Sequence, residues 1–377
     1  MKKAIFKIID IIYKTLSKVL KVNDRRIIME CDYGKGFYGN LLCIYREIEK
    51  QNLDYEIIIP VNKNVKLFEE FSDNTKVIRT RGLKHFYYLI TSKFWITNNH
   101  YYFFLTKRKE TTCINTWHAL GAFKKFALDC DDGQREEHIA DGNNTDYLLV
   151  SSEKVSEIYS KALNVPMNKI VSLGIPRTDL FFKEDLMNKI QGELREKLNC
   201  KDKKVILYAP TFRDGEKYNA DVKLDIPYMN ESLKDDYVLL IKLHPIIRNK
   251  IEIPKGCEDF VRDASGFNMN DLLVMTDVLI TDYSSVVFDY ALLERPMIFF
   301  AYDLDEFKQK SREFYYGYEE FIPDKCVQKT EEVVEKIKSF ETNLDNETLE
   351  RIKVFSKEFC EFRDGKSSER FVKRFLT

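Results

Sequence analysis

From Thr276 to Phe307 the chain writes one unit without interruption. An apolar strand (Val278-Leu279-Ile280) runs into Asp282-Tyr283-Ser284-Ser285, then a helix through Leu293, a second apolar strand (Met297-Ile298-Phe299-Phe300) and an acidic, aromatic tail. Two short apolar strands joined by a helix pair in parallel, because a tight hairpin cannot join parallel neighbours. The chain is thereby committed to α/β layering. The loop before the helix offers unsatisfied backbone N–H groups and the positive end of the helix dipole, with the Ser284 and Ser285 hydroxyls as caps or further donors. Such a place suits a phosphate, and a diphosphate fits it.

The same alternation predicts strands at Arg26–Cys31, Tyr55–Pro60, Lys76–Arg79, Phe94–Thr97, Thr112–Asn115 and Tyr147–Val150, then a break at Leu173-Gly174-Ile175-Pro176-Arg177. A charged helical stretch, Leu180–Cys200, leads to strands at Lys204–Pro210, Tyr237–Lys242, Asp259–Val261, Val278–Ile280 and Met297–Phe300. Helices at Glu331–Ser339 and Thr348–Phe375 close the chain. At 377 residues the chain exceeds what one core usually supports. The expected division is a helix at 1–24, a doubly wound domain at 25–180 and a second at 181–377.

Residues 1–24 differ in kind. Ile5, Ile8, Ile9, Ile12, Leu16, Val19 and Leu20 recur at helical spacing, while Lys2, Lys3, Lys7, Lys14, Lys18 and Lys21 take the other faces. Such a basic amphipathic helix suits an anionic membrane surface; the plainer reading is a helix packed on the first domain. No stretch approaches the ~20 apolar residues of a spanning helix. With 60 Lys and Arg against 61 Asp and Glu, no basic excess points to nucleic acid. Eight scattered cysteines without metal-ligand spacing read as reduced thiols of a cytoplasmic protein.

Three further strand ends carry chemistry. In Trp117-His118-Ala119-Leu120-Gly121-Ala122-Phe123-Lys124-Lys125, a histidine past a strand is either a general base facing a crevice or a structural, hydrogen-bonded residue. In Leu243-His244-Pro245 the imidazole is either a donor to phosphate or part of a turn. Tyr208-Ala209-Pro210-Thr211-Phe212-Arg213-Asp214 places a hydroxyl near a guanidinium, a phosphate grip or a solvated turn. His85, His100 and His138 lack such placement and are expected in surface or packing roles.

Taken in order, Trp-His-x-x-Gly-x-x-Lys-Lys, Tyr-Ala-Pro-Thr-Phe-Arg, Leu-His-Pro and Thr-Asp-Tyr-Ser-Ser-x-x-Phe-Asp followed by Arg-Pro, over residues 112 to 307, the motifs resemble the CDP-glycerol glycerophosphotransferase family of teichoic acid primases and polymerases. The resemblance implies a GT-B fold: two doubly wound Rossmann-like domains facing a central cleft, the second binding the CDP-alditol. It implies transfer of an alditol phosphate, glycerol phosphate first among candidates, from CDP-glycerol or CDP-ribitol to a hydroxyl of a lipid-linked teichoic acid or capsule precursor, releasing CMP.

Under that resemblance His118 and His244 are catalytic. Pro210, Thr211, Arg213, Asp282, Tyr283, Ser284, Ser285 and Asp289 attend the donor diphosphate, and Trp117, Gly121 and Lys124 the acceptor. No metal or cofactor is implied. The expected partners are an undecaprenyl-type lipid-linked saccharide and the anionic cytoplasmic face of the cell membrane, where the protein would be peripheral; a homo-oligomer stays open. Many relatives read His-Gly-Thr where this chain has His118-Ala119-Leu120, which leaves the acceptor open. Two rivals remain: a glycosyltransferase using a nucleotide-sugar, and a non-catalytic, membrane-docked nucleotide-binding scaffold.

Overall fold

The computed structural model describes residues 2–377 apart from Phe68, Lys201, 214–220, Pro245, Arg248, 311–312 and 343–345; Asp214 and Pro245, each ending a motif, thus lie outside the described residues. Two compact units emerge. The first comprises Met1–Leu120, Phe126–Asp179 and Glu361–Thr377, the second Gly121–Lys125 and Leu180–Cys360.

The first unit is built on strands β1 (Asn23–Glu30), β2 (Glu56–Val61), β3 (Thr75–Arg79), β4 (Ser92–Thr97), β5 (Thr112–Asn115), β6 (Tyr147–Val150) and β7 (Ile170–Ser172), in the order β3-β2-β1-β4-β5-β6-β7. All pairings are parallel, with Ile27 opposite Ile57, Ile28 opposite Trp95 and Ile96 opposite Ile114. Successive residues such as Ile57, Ile58 and Ile59 are buried on both faces, which is why these strands read as continuous apolar runs. The order reverses between β1 and β4, and ligands of such sheets bind where it reverses, beyond the strands' carboxyl ends. Strand β7 has no counterpart in the expected list, since its half-buried Ile-Val-Ser at the sheet edge carries too short a pattern to stand out.

The helix Lys2–Val19 packs on this unit by part of its apolar surface. Tyr13 is buried, Phe6 stacks on Phe104 at 4.4 Å, and Asp10 accepts the Thr106 N–H at 2.8 Å. The single aliphatic face expected from the sequence is therefore divided. Ile5, Ile8, Ile11 and Val19 remain exposed. No described helix is long and apolar enough to cross a membrane.

The chain end differs from the 181–377 expectation. Rather than one helix over Thr348–Phe375, the chain forms Asn346–Phe359 and, after a break containing Gly365 at φ 68°, Ser367–Phe375. This last helix rejoins the first unit because Phe371 and Val372 complete an apolar face on helix Gly39–Lys50. The Asp179 carboxylate caps it, accepting the Ser367 and Ser368 N–H groups at 2.8 Å each.

The second unit holds β8 (Lys204–Tyr208), β9 (Tyr237–Ile241), β10 (Val261–Asp263), β11 (Val278–Thr281) and β12 (Met297–Phe299), parallel and ordered β10-β9-β8-β11-β12. Its reversal lies between β8 and β11, so the Tyr208–Arg213 and Asp282–Ser285 segments leave the sheet side by side. The eight cysteines form no disulfide, and five are buried.

Candidate active site

In the first unit, the loop after β5 is fixed by its carbonyls. Buried Asn40, in the first turn of helix Gly39–Lys50, donates its amide to the Thr116 and Trp117 carbonyls at 3.2 and 3.0 Å. Arg177 donates to the His118 carbonyl (2.8 Å), Tyr159 to that of Ala119 (3.0 Å) and Ser151 to that of Leu120 (2.6 Å). Every carbonyl from Thr116 to Leu120 thus meets a side chain from elsewhere in the unit. Trp117 sits at φ 49°, a conformation costly for a bulky residue, and its N–H is held by the Asn115 side chain at 2.8 Å. The loop is over-determined, which is the condition for keeping such strain.

What this scaffold presents is the His118 imidazole. Its Nδ1 lies 3.3 Å from the Asn98 carbonyl, and a carbonyl only accepts, so Nδ1 carries the proton and Nε2 keeps its lone pair. Asn98 follows β4, and its side-chain oxygen accepts the Asp32 N–H at 2.9 Å, which sets the histidine at the β1/β4 reversal. The ring edge is exposed, yet its pKa is lowered to about 4; desolvation is the main cause, with the charges of Arg177 and His100 adding to it. At neutral pH the ring is a neutral proton acceptor.

In the second unit, charge does the fixing. Asp282, 1% exposed, accepts the N–H groups of Thr211 (2.8 Å) and Tyr283 (2.6 Å) on one oxygen and Arg213 (2.9 Å) on the other. Arg213 also forms a two-pronged pair with Asp303 at 2.7 and 2.9 Å and donates to the Thr211 carbonyl at 2.6 Å. Burial opposes the guanidinium's charge, but the two carboxylates outweigh it and raise its pKa. The rings of Tyr283, Tyr302 and Phe307 enclose it at 5.0 to 5.2 Å. Arg213, expected near the donor diphosphate, directs most of its donors to Asp282, Asp303 and the Thr211 carbonyl and so clamps the two loops together.

His244 is the mirror image of His118. Its Nδ1 accepts the Ile246 N–H at 3.2 Å, so Nε2 carries the proton and is a donor. The ring is exposed, and its pKa is lowered by desolvation and by the charges of Lys124 and Lys242. A proton donor beside two cations suits an anion.

Lys124 and Gly121, expected on the acceptor side, lie on a segment that groups with the second unit. Segment Gly121–Lys125 pairs antiparallel with the chain at Phe314, the Lys125 N–H reaching the Glu313 carbonyl at 2.8 Å and Phe123 stacking on Phe314 at 4.6 Å. A Cβ on Gly121 would lie 2.3 Å from the Phe288 ring, so the glycine serves close packing. Trp117 stays with His118, its ring 4.3 Å away.

Of the remaining donor-side residues, Pro210 and Thr211 follow β8 and Tyr283 is buried against Phe307. The Thr211 hydroxyl is buried and meets no partner among the described residues. Ser284 accepts the Val286 N–H at 3.3 Å; Ser285 is exposed and makes no side-chain cap, unlike the paired caps read from the sequence. Asp289 is buried in the first turn of helix Val286–Ala291. Sequence reasoning missed Asn40, Asn98, Arg177 and Asp303, whose partners lie far along the chain. His85, His100 and His138 each pair with a carboxylate, Glu30, Asp141 and Asp132, at 2.7 to 2.9 Å. No cluster of three or more His, Cys, Asp or Glu arranged for a metal occurs among the described residues.

A family model described as CDP-Glycerol:Poly(glycerophosphate) glycerophosphotransferase matches residues 12–377. The chain is 35% identical over 368 residues to the teichoic acid poly(ribitol-phosphate) polymerase of Bacillus spizizenii, covering 95% of this chain but 57% of that longer protein. It is 32% identical over 390 residues to the teichoic acid glycerol-phosphate transferase of Staphylococcus aureus, covering 98% of each. Among solved structures, a variant of the wall teichoic acid polymerase TagF soaked with CDPG superposes with a TM-score of 0.87 at 28% identity, covering 98% of this chain and 92% of that one.

Proposed function

Because this chain belongs to the CDP-glycerol:poly(glycerophosphate) glycerophosphotransferase family, we propose that it moves an alditol phosphate from a CDP-alditol to a hydroxyl of a lipid-linked teichoic acid or capsule precursor. One observation carries the division of labour: backbone groups fix the two strand-end histidines in opposite tautomers. His118 Nε2 accepts the proton of the acceptor hydroxyl, and the oxygen attacks the β-phosphorus of the donor. The bond from that phosphorus to the bridging oxygen breaks, and CMP leaves with the electron pair.

His244 Nε2–H donates to a phosphate oxygen, with Lys124 and Lys242 supplying positive potential and the Thr211, Ser284 and Ser285 hydroxyls further donors. In this reading, which is the GT-B one, the first unit serves the acceptor and the second the donor. The helix Lys2–Val19 docks on an anionic leaflet through its lysines and exposed isoleucines, at the cytoplasmic face.

The test is a donor panel. CDP-glycerol, CDP-ribitol and UDP-sugars are each offered with a lipid-linked disaccharide. CMP release with a product heavier by one or more alditol phosphates is expected; UDP release from a UDP-sugar would replace this reading with a glycosyltransferase, and CDP-alditol binding without turnover with a scaffold.

A further inference from the structure

Beside the His118 loop, the first unit contains a cavity of about 1020 Å³ that the reaction proposed above does not use. Phe6, Ile9, Ile12 and Leu16 of the N-terminal helix form one wall, and Phe86 and Leu89 of helix Leu83–Thr91 another. A space of this size is at the upper end for small-molecule sites. Most such volumes inside a folded unit are filled by side chains.

Two features identify its occupant. The first is where it opens. Ile12 and Leu16 line the cavity and are also exposed, so its mouth lies along the face that carries Ile5 and Ile8, with Leu83, 91% exposed, on the neighbouring helix. The second is where it leads. Tyr33, His100, His138 and Asp141 form a polar part of the wall; His100 is paired with Asp141 at 2.7 Å, and its ring lies 5.2 Å from Trp117, which in turn lies 4.3 Å from the His118 ring. The cavity thus runs from an exposed aliphatic surface to His100, which touches Trp117 beside His118.

We propose that this cavity holds part of the hydrocarbon chain of the lipid-linked acceptor, drawn laterally from the leaflet past Ile12 and Leu16, so that the attached headgroup is delivered at Trp117 and His118. The inference rests on the acceptor being lipid-linked. It adds that the protein reads the lipid itself as well as the hydroxyl, and that the N-terminal helix is a wall of the acceptor site besides a membrane contact.

The experiment uses the full chain and two acceptors with the same disaccharide, one on a long polyisoprenoid diphosphate and one on a short, water-soluble alkyl diphosphate. Wild type is expected to favour the long chain by about tenfold or more in kcat/KM, since burying even a few methylenes is worth that much. Leu16→Trp, and independently Ile12→Trp, should fill the cavity and abolish the preference while both variants still sediment with phosphatidylglycerol vesicles. A preference that survives both substitutions overturns the proposal. So does one lost only together with vesicle binding, which assigns the aliphatic face to the bilayer alone. Should no CDP-alditol turn over with either acceptor, the functional reading fails by itself, and the cavity is judged by binding. A fluorescent polyprenyl phosphate held by wild type and weakened about tenfold by Leu16→Trp supports it; equal binding refutes it.

Discussion

The two strand-end regions solve one problem with different chemistry. Each lies at the carboxyl ends of a parallel sheet near the point where its strand order reverses, and each unit carries an imidazole that a backbone group holds in a single tautomer. The first unit fixes its loop with neutral or singly charged donors on successive carbonyls, from Asn40, Arg177, Tyr159 and Ser151. The second fixes its loops with a buried guanidinium between two carboxylates. The difference suits the work proposed for each. A region that must accept a proton from an uncharged hydroxyl is held by single donors on carbonyls, whereas in the one meant for a diphosphate the lone guanidinium offsets only one of its two carboxylates. The positive potential there is left to Lys124 and Lys242.

The comparison predicts unequal sensitivity. Arg213→Met should be the most damaging to stability, because it leaves Asp282 and Asp303 without their cation; a loss of about 3–5 kcal/mol in urea unfolding is expected for breaking a buried pair. A loss under about 1 kcal/mol would place the pair among surface ion pairs and end the contrast. Asn40→Ala orphans two carbonyls and the Arg177 N–H it accepts, for about 1–3 kcal/mol. It should also lower kcat with little change in donor affinity, since it acts through the base loop; equal damage to donor binding would contradict that. Ser285→Ala, which removes an exposed hydroxyl with no cap bond, should shift stability by no more than about 0.5 kcal/mol and raise the donor KM a few-fold.

pH sharpens the contrast further. The His118 pKa is depressed to about 4, below the ordinary ~6.5, so the neutral base persists as pH falls through the usual histidine range. The acid limb of kcat/KM should therefore bend below pH 6.5. A midpoint at or above 6.5 would mean that the ring is not desolvated as described.

The strand ends were legible because apolar runs stopped at residues of unusual chemistry: His118 after β5, His244 after β9, and Asp282 to Ser285 after β11. Local pattern shows what a residue carries but not what it faces. The carboxylate partners of Arg213 stand at positions 282 and 303, and the strand partner of Lys124 at Phe314, all too distant in sequence for local pattern to show. The same limit hid Asn40, whose contacts cross from residue 40 to 116, 117 and 177. It also hid the return of Ser367–Phe375 to the first unit, which depends on the tertiary match of Phe371 and Val372 to a helix near the start of the chain.

The claim that His118 primes the acceptor is tested most directly by following CMP release from CDP-glycerol and CDP-ribitol, with a lipid-linked disaccharide present, for wild type and His118→Ala, alongside the donor dissociation constant of each. The account predicts that the variant loses about 10²–10⁴ in turnover while its donor affinity stays within a few-fold of wild type. Near-wild-type CMP release by His118→Ala would contradict it.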